Sequence, residues 1–275
     1  MLQLPELQLG PPVPRFRASA LENRDGLWTF EGDRYSGYLY EVDGDFVVGE
    51  VEILAGEEVA RPRTWSGAQC LEIAEFDPPE PLSWDGSHFS GTGMFFYEES
   101  GRLAIEQEYV DGAGTRVVRA WHHNGVPNWD CDMRVQRTWR DSGLLWMFED
   151  SSSGELKLLL SEEGGVALVS CGQELNPSEW ARVSSFVAPS KILKFRGAGM
   201  TDAVISSLSG WDERWEDVEE LFLTGTAITV DGLTTLLEHA KSLRELYLDR
   251  NEKLEAESLN TVAEQHPQCA FHRSN

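Results

Sequence analysis

The residues of this chain best suited to metal chemistry are His122 and His123, with Cys131 a short distance along the chain. Imidazole nitrogens and a thiolate are typical zinc ligands. Adjacent residues of a β-strand point to opposite faces, however, so two neighbouring histidines cannot hold one ion from a regular strand. The Asn124-Gly125 pair that follows favours a hairpin end. We therefore expect solvated histidines at a turn and no metal site.

Motifs that carry enzymatic chemistry are missing from the sequence. The signatures of serine hydrolases, zinc proteases, phosphate-binding loops and dinucleotide-binding folds do not occur, and Gly91-Thr-Gly93 is typical of a β-turn region. We predict a non-enzymatic protein with no cofactor. A carbohydrate-active enzyme is a remote alternative, since acidic residues are abundant and only geometry can select an acid/base pair. A deep pocket that holds two close carboxylates and stacked tryptophans would favour that alternative.

The decapeptide from Trp211 to Glu220 combines six acidic residues with two tryptophans. Tryptophan anchors a protein interface, and surrounding carboxylates steer the encounter with a basic partner. Trp211, Trp215 and Glu216 are therefore candidate partner-binding residues. In the alternative interpretation, the tryptophans cover a junction between domains and the acidic residues form a solvated face.

The predicted secondary structure differs from one part of the chain to the next. Gly10-Pro-Pro-Val-Pro14 cannot hold a helix or a central strand, so we predict an N-terminal arm over residues 1–25. From Gly26 to about Val187, short aromatic-rich runs alternate with turn residues. This pattern predicts antiparallel strands and hairpins over residues 26–187.

Aromatic residues precede turn glycines at regular intervals in this region. Tyr97, Trp121 and Trp146 are 24 and 25 residues apart, a period typical of repeat architectures. We expect each unit to be a hairpin whose glycine has a positive φ, stacked on its neighbours to bury an apolar face. The pairs are Tyr40 with Gly44, Tyr97 with Gly101, Trp121 with Gly125 and, across a longer loop, Trp146 with Gly154.

Three segments carry a resemblance to a known family: Tyr97-Glu-Glu-Ser-Gly-Arg-Leu103, Tyr109-Val-Asp-Gly112 and Trp121-His-His-Asn-Gly-Val-Pro127. They resemble the MORN-repeat variant of bacterial antitoxin-like proteins. The resemblance extends over residues 94–157 and implies a sheet of stacked hairpins. It departs from the family where Arg116-Val-Val-Arg119 replaces a second glycine.

A different repeat begins near Pro189. Val218, Leu221, Leu223 and Thr226 recur 25 residues later as Leu243, Leu246, Leu248 and Asn251. This pattern is similar to the leucine-rich repeat, with Thr226 in place of the usual asparagine. The resemblance implies a short α/β solenoid over residues 188–275, with amphipathic helical segments after its strands and Cys269-Ala-Phe271 as a capping strand.

In a leucine-rich repeat the strand leucines point inward and the residues between them line the concave face. Here the resemblance places Phe222, Thr224, Tyr247 and Asp249 on that face. Phe222 and Tyr247 would form an exposed aromatic ladder. This ladder is the preferred binding surface unless the face is docked on the preceding β domain.

Five arginines lie within 25 residues of the best-defined hairpins: Arg116, Arg119, Arg134, Arg137 and Arg140. In one interpretation they neutralise acidic residues on adjacent strands. In the other they form a basic stripe that orients a partner.

The charge of the chain limits its partners. With 47 acidic and 23 basic residues the formal net charge is −24, which disfavours direct nucleic-acid or membrane binding. Secretory and transmembrane signals are not visible, and the four cysteines are too dispersed for a metal motif, so we expect reduced thiols in a cytoplasmic protein.

Together these patterns predict the α+β class, with an antiparallel hairpin sheet followed by a short leucine-rich-repeat solenoid. The resemblance to antitoxin-like proteins and the net charge of −24 together imply a protein-binding function, that of an acidic bacterial immunity protein or antitoxin that occludes a partner protein such as a basic toxin. A scaffold or regulatory adaptor that recruits a protein through the leucine-rich repeats is the alternative.

Overall fold

The computed structural model describes residues 3–65, 70–72, 87–152, 155–208, 211 and 214–274. The chain divides into two compact units. The N-terminal unit comprises residues 9–132 and 139–143, and the C-terminal unit comprises residues 1–8, 133–138 and 144–275. The predicted division at residues 25 and 187 stays a prediction.

The N-terminal unit consists of strands joined mainly as antiparallel hairpins. Its strands are β1 (Arg15–Arg17), β2 (Glu22–Arg24), β3 (Leu27–Phe30), β4 (Asp33–Arg34), β5 (Gly37–Asp43), β6 (Phe46–Leu54), β7 (Glu57–Thr64), β8 (Cys70–Glu72), β9 (Gly91–Phe96), β10 (Leu103–Val110), β11 (Ala113–Trp121) and β12 (Pro127–Cys131). β5 to β7 and β9 to β12 pair consecutively as antiparallel strands, and β1 runs parallel to β5.

Three of the predicted turn glycines adopt the left-handed conformation that the hairpins require. Gly44, Gly101 and Gly125 have φ values of 60°, 65° and 84°, a region that L side chains disfavour. The prediction of hairpins closed by these glycines is confirmed, and Gly154 lies outside the described residues. The hairpins bury Tyr40 and Trp121 in one cluster with Met94 and Leu103.

The C-terminal unit contains the remaining strands and all four α-helices of the described chain. Its strands are β13 (Val135–Trp139, with residues 135–138 in this unit), β14 (Leu145–Asp150), β15 (Leu156–Leu160), β16 (Val166–Ser170), β17 (Pro189–Arg196), β18 (Glu220–Thr224), β19 (Glu245–Asp249) and β20 (Ala270–Ser274). Its helices are α1 (Pro177–Phe186), α2 (Asp202–Ser207), α3 (Val230–His239) and α4 (Ala256–Gln265).

The predicted α+β class is wrong, because the described part of the chain is mostly β, with 46% of those residues in strands and 17% in helices. The α/β solenoid predicted over residues 188–275 is not found among the residues that the structure describes there. β17 to β20 pair in parallel, but β17 also pairs with β16, which is antiparallel to β15. The parallel strands thus continue a set of antiparallel hairpins in a mixed sheet. Short helices on the connections add little helical content.

Local sequence explains where these elements begin. α1 starts after Asn176, whose side chain accepts a hydrogen bond from the Glu179 backbone N–H at 3.0 Å, and Pro177 occupies the first helical turn. The amphipathic segments predicted after the parallel strands are confirmed as α2, α3 and α4, and the predicted capping strand is β20.

Asn251 joins two turns at the carboxyl ends of β18 and β19. Its Oδ1 accepts hydrogen bonds from the Thr226 backbone N–H at 2.9 Å and from Thr226 Oγ1 at 2.7 Å. Its Nδ2 donates to the Leu223 carbonyl at 2.8 Å. All these groups are buried, so folding removes their hydrogen bonds to water. The hydrogen bonds between Asn251, Thr226 and Leu223 take the place of those bonds. Thr226 therefore takes part in the interaction by donating to the asparagine.

Three of the four cysteines, Cys70, Cys171 and Cys269, are buried. Burial raises the pKa of the Cys70 thiol to about 12, and the pKa values of Cys171 and Cys269 to about 11. These thiols stay protonated at neutral pH and are poor nucleophiles. Among the described residues, none of the helices is both long enough and apolar enough to cross a membrane.

Candidate protein-binding surface

Three aromatic rings stack in a row across β18, β19 and β20. The ring centroids of Phe222 and Tyr247 are 4.3 Å apart with their planes 5° from parallel. Tyr247 and His272 follow at 4.6 Å and 16°. We call these three residues the aromatic ladder. Its spacing comes from the parallel register, in which each residue is the Cα partner of the next.

Strand alternation places the ladder on the face opposite the core. Leu221 and Leu223 flank Phe222 and are fully buried, as is Leu246 beside Tyr247. Successive side chains of a strand point to opposite faces, so burying the leucines leaves the rings on the other side. Phe222 and Tyr247 are half-buried and His272 is exposed. The rings therefore cover one another in part and remain partly exposed.

Polar contacts are made by the rings at both ends of the ladder. Lys194 Nζ is 5.0 Å from the centroid of the Phe222 ring. At the other end, the His272 imidazole forms a hydrogen bond through Nε2 with the Glu245 carboxylate. A cation over an aromatic face is attracted by the ring quadrupole. The Lys194 contact thus provides, within this chain, the type of contact that a basic partner would make.

Carboxylates border the rings of the ladder. Glu220 and Glu245 are Cα partners on β18 and β19, two residues before Phe222 and Tyr247. Burial raises the pKa of the Tyr247 hydroxyl, and the negative charges of Glu245 and Glu220 raise it further. The phenol is therefore neutral at physiological pH and can donate a hydrogen bond. Acidic groups beside partly exposed rings favour a basic partner surface.

The apolar row continues from the ladder into the antiparallel strands of the same unit. Leu168 on β16 is the Cα partner of Lys194, and Leu159 on β15 is the partner of Leu168. Met147 on β14 is in turn the partner of Leu159. All three are half-buried. The row thus provides more apolar contact area than the ladder alone.

Two other predicted site residues lie beside the ladder. Thr224 and Asp249 are Cα partners and both are half-buried. They belong to the next row of the same face, two residues after Phe222 and Tyr247. The structure therefore brings together four of the predicted partner-binding residues.

The predicted site residues Trp211 and Trp215 lie elsewhere, in the core of the C-terminal unit. Their exposed fractions are 0% and 2%, and Trp211 Nε1 donates a hydrogen bond to the Val187 carbonyl at 2.6 Å. Both indoles pack around Phe195. A partner cannot reach them in this fold, so their assignment to a binding surface is corrected. Glu216, which follows Trp215, is exposed, and Asp212 and Glu213 lie outside the described residues.

His272 is a ladder residue that sequence reasoning did not select. It lies 25 residues after Tyr247, as Tyr247 lies 25 residues after Phe222. The same period that aligned the first two rings would have found it, had the period been extended into the capping strand.

The arginines of the hairpin region make contacts that favour charge neutralisation. Arg116 donates from Nε and Nη2 to both carboxylate oxygens of Glu108, each at 2.9 Å. These hydrogen bonds hold the pKa of Glu108 below its usual value. Arg119 Nε lies 3.7 Å from the Glu106 carboxylate. These contacts are across adjacent strands, as the first of the two interpretations requires.

The neighbouring residues His122 and His123 contact different parts of the structure. His122 Nε2 is hydrogen-bonded to the Trp139 carbonyl at 2.9 Å, while the His123 ring stacks on Tyr97 with centroids 3.7 Å apart. In the described part of the chain, no three His, Cys, Asp or Glu side chains are grouped so that they could hold a metal ion.

Comparisons with known proteins give only remote likenesses. No protein-family model and no curated protein matches the chain. The leiomodin-1 actin-binding site 2 is 13% identical, with a TM-score of 0.30 over 40% of this chain and 70% of that chain. The complex of accessory secretory proteins 1, 2 and 3 of Streptococcus pneumoniae is 12% identical, with a TM-score of 0.21 over 97% and 45% of the two chains.

A third solved structure, the GtfA/B complex bound to UDP and GlcNAc, is 11% identical, with a TM-score of 0.18 over 92% of this chain and 59% of that chain. Likenesses at these TM-scores carry no argument about fold or function.

Proposed function

We propose that this chain is a non-enzymatic protein-binding protein, an acidic inhibitor of the immunity-protein or antitoxin type. It acts in a bacterial cytoplasm by covering the functional surface of a basic partner protein. The observation that carries this proposal is the aromatic ladder bordered by Glu220, Glu245 and Asp249. Stacked aromatic side chains lie on a partly exposed strand face, and carboxylates border them. Such a combination is similar to the composition of a protein-binding hot spot.

Electrostatics favours a basic partner over an acidic one. The net charge of −24 attracts a positively charged protein at long range and raises the rate of encounter. At short range, the ring faces accept cations, as Lys194 does over Phe222. Inhibition then needs no chemistry, because the bound chain simply excludes the partner's own substrate.

The test compares the intact chain with two variants as bait in the native lysate. The ladder variant is Phe222→Asp with Tyr247→Asp. The control is Met133→Asp, which places the same charge on a residue that is 88% exposed and outside the ladder. We expect one basic protein to be captured in stoichiometric amount by the wild type and the control, and lost from the ladder variant.

The captured protein is then purified and its activity is measured with and without the wild-type chain. If the wild-type chain abolishes the activity of the captured protein and the ladder variant does not, the chain is an inhibitor. A partner that binds fully but keeps its activity would make the chain an adaptor. Capture that is the same for all three baits would contradict the ladder as the binding surface.

A further inference from the structure

Two exposed basic side chains lie beside the aromatic ladder, on β17. They are Lys194 and Arg196, which we call the basic pair. Phe195, which lies between them on the strand, is buried. Because successive side chains of a strand point to opposite faces, the basic pair projects away from the core. Lys194 is the Cα partner of Phe222, so the pair shares the face of the ladder.

The basic pair is not neutralised within the part of the chain that the structure describes. There, neither Lys194 nor Arg196 forms an ion pair with a carboxylate. Another basic residue of the same face does: Lys157 Nζ lies 3.1 Å from the Glu149 carboxylate. The pair is therefore a positive patch on a chain whose net charge is −24. It attracts a carboxylate of a partner, which forms charge-assisted hydrogen bonds with both types of side chain.

The next two strands of this face carry the opposite charge. Glu220 on β18 and Glu245 on β19 are Cα partners, and both are partly exposed. Neighbouring strands lie about 4.8 Å apart, so these carboxylates follow the basic pair at one and two strand spacings. The face is thus bipolar, positive over β17 and negative over β18 and β19. A partner segment that matches it carries both signs of charge.

Apolar groups lie among these charges. Leu168 on β16, Phe222 on β18 and Tyr247 on β19 belong to one row of Cα partners, which passes through Lys194. Ile192, two residues before Lys194 on β17, is 44% exposed. The matching segment therefore needs an apolar side as well as two charged ends.

The spacing of the row favours a helix over an extended segment. Same-side residues of an α-helix recur once per turn, about every 5.4 Å, which is close to the strand spacing of about 4.8 Å. Same-side residues of an extended chain recur about every 6.7 Å, which does not match. From β16 to β20 the row crosses five strands, a length of about 19 Å that a helix of about 13 residues covers.

We propose that this face binds an amphipathic α-helix of the partner protein, laid across β16 to β20. The apolar side of the helix contacts Leu168, Phe222 and Tyr247. One end carries aspartate or glutamate towards the basic pair, and the other carries lysine or arginine towards Glu220 and Glu245. This inference rests on the proposed protein-binding function and states which kind of segment the aromatic ladder receives.

The test uses synthetic peptides, so it does not require the captured partner. The bipolar peptide has about 18 residues, with leucines on one helical face, glutamates in its first half and lysines in its second half. The lysine peptide keeps the leucines and replaces every glutamate with lysine. The proline peptide is the bipolar peptide with a central proline, which breaks the helix.

Fluorescence anisotropy of the labelled peptides measures their affinity for the full chain at about 150 mM salt. We expect the bipolar peptide to bind the wild type with a Kd below about 1 mM. The proline peptide should bind at least about 10-fold more weakly, because its apolar residues no longer share one face. Phe222→Ala, which leaves the net charge unchanged, should also weaken binding of the bipolar peptide by at least about 10-fold.

Two variants of equal net charge test the basic pair. The face variant is Lys194→Glu with Arg196→Glu. The matched control is Lys241→Glu with Lys253→Glu, which changes two exposed lysines on the connections before and after β19. Long-range attraction is the same for both variants, so a difference between them reports local contacts. Circular dichroism checks that both variants fold.

The two peptides should respond to the face variant in opposite directions. We expect the face variant to bind the bipolar peptide at least about 10-fold more weakly than the control does, because the glutamates then meet like charges. It should bind the lysine peptide about 3-fold or more tightly than the control does, because the same positions now attract lysine.

Three results would overturn the proposal. The first is that the bipolar peptide does not bind the wild type with a Kd below about 1 mM. The second is that the face variant differs from the control for neither peptide, or in the same direction for both. The third is that the proline peptide binds as tightly as the bipolar peptide, which would indicate an extended segment.

Failure of this inference and failure of the proposed function give different results. If the peptides contradict the helix but a basic protein is captured and is lost from the ladder variant, the helix is wrong and the protein-binding function stands. If the peptides behave as expected but no basic protein is captured, the face binds a bipolar helix and the tight inhibitor is wrong.

Discussion

The rings of Phe222 and Tyr247 lie face to face with centroids 4.3 Å apart, on strands whose register places the two residues directly opposite each other. The leucines on either side of them are buried. The stack therefore exists because two parallel strands bury the same leucine pattern and leave aromatic residues on the other face. The rings take no part in the leucine core.

Replacing both rings with aspartate should affect binding and spare the fold. In Phe222→Asp with Tyr247→Asp, we expect affinity for the partner to fall by about 30-fold or more, since hot-spot residues contribute at least about 2 kcal/mol. The measurement is a titration of the captured partner by calorimetry, with circular dichroism to check folding. An unfolded variant, or a folded one that binds normally, would refute the assignment of the ladder.

Salt should slow association with the partner. Raising the ionic strength from about 50 to about 500 mM shortens the Debye length several-fold and screens the net charge of −24. We expect the association rate constant to fall by about 10-fold, with a smaller change in the dissociation rate constant. Surface plasmon resonance measures both. An unchanged association rate would mean that charge does not steer the encounter.

The hydrogen bonds of Asn251 should contribute strongly to stability. Asn251→Ala leaves the Thr226 N–H and the Leu223 carbonyl buried without the partner they have now. We expect the free energy of unfolding to fall by about 2–3 kcal/mol. Urea denaturation of this variant is compared with Asn260→Ala, in which the same amide is removed from an exposed position on α4. Equal losses of unfolding free energy in the two variants would show that the buried hydrogen bonds of Asn251 contribute no more to stability than an exposed amide does.

Acid should destabilise the N-terminal unit through Glu50. Burial by itself favours protonation of Glu50, but hydrogen bonds from Arg63 and Tyr40 outweigh it and hold its pKa below the usual 4.5. A carboxylate whose pKa is lower in the folded than in the unfolded state stabilises the fold above the unfolded pKa. That contribution is lost as the pH falls from about 4.5 through the lower folded pKa.

Glu50→Gln tests this pH dependence directly. The variant should be less stable than the wild type at neutral pH, because Arg63 and Arg15 lose a charged partner. Its free energy of unfolding should also vary less with pH below about 4.5 than that of the wild type. Urea denaturation at a series of pH values measures both. Parallel pH profiles for the two proteins would contradict a lowered pKa at Glu50.

Local patterns in the sequence determined the hairpin turns, the parallel register and the aromatic ladder. Turn glycines such as Gly101 are recognisable because a left-handed φ excludes most side chains. The 25-residue spacing aligned Phe222 with Tyr247 because matching leucines of the two strands pair with each other, and a one-residue slip would move those leucines out of the core. These features depend on residues near in sequence or related by the repeat.

Tertiary structure alone decided what surrounds each residue. The acidic residues around Trp211 and Trp215 suggest an exposed segment, yet both indoles are buried, because an apolar ring is stabilised wherever the fold offers a core to fill. The fold class likewise depended on β16 pairing with β17, which no local pattern specifies. One cavity of the N-terminal unit is lined by Arg15, Trp129 and residues 9–13, which come from distant parts of the chain, so only the folded structure could reveal it.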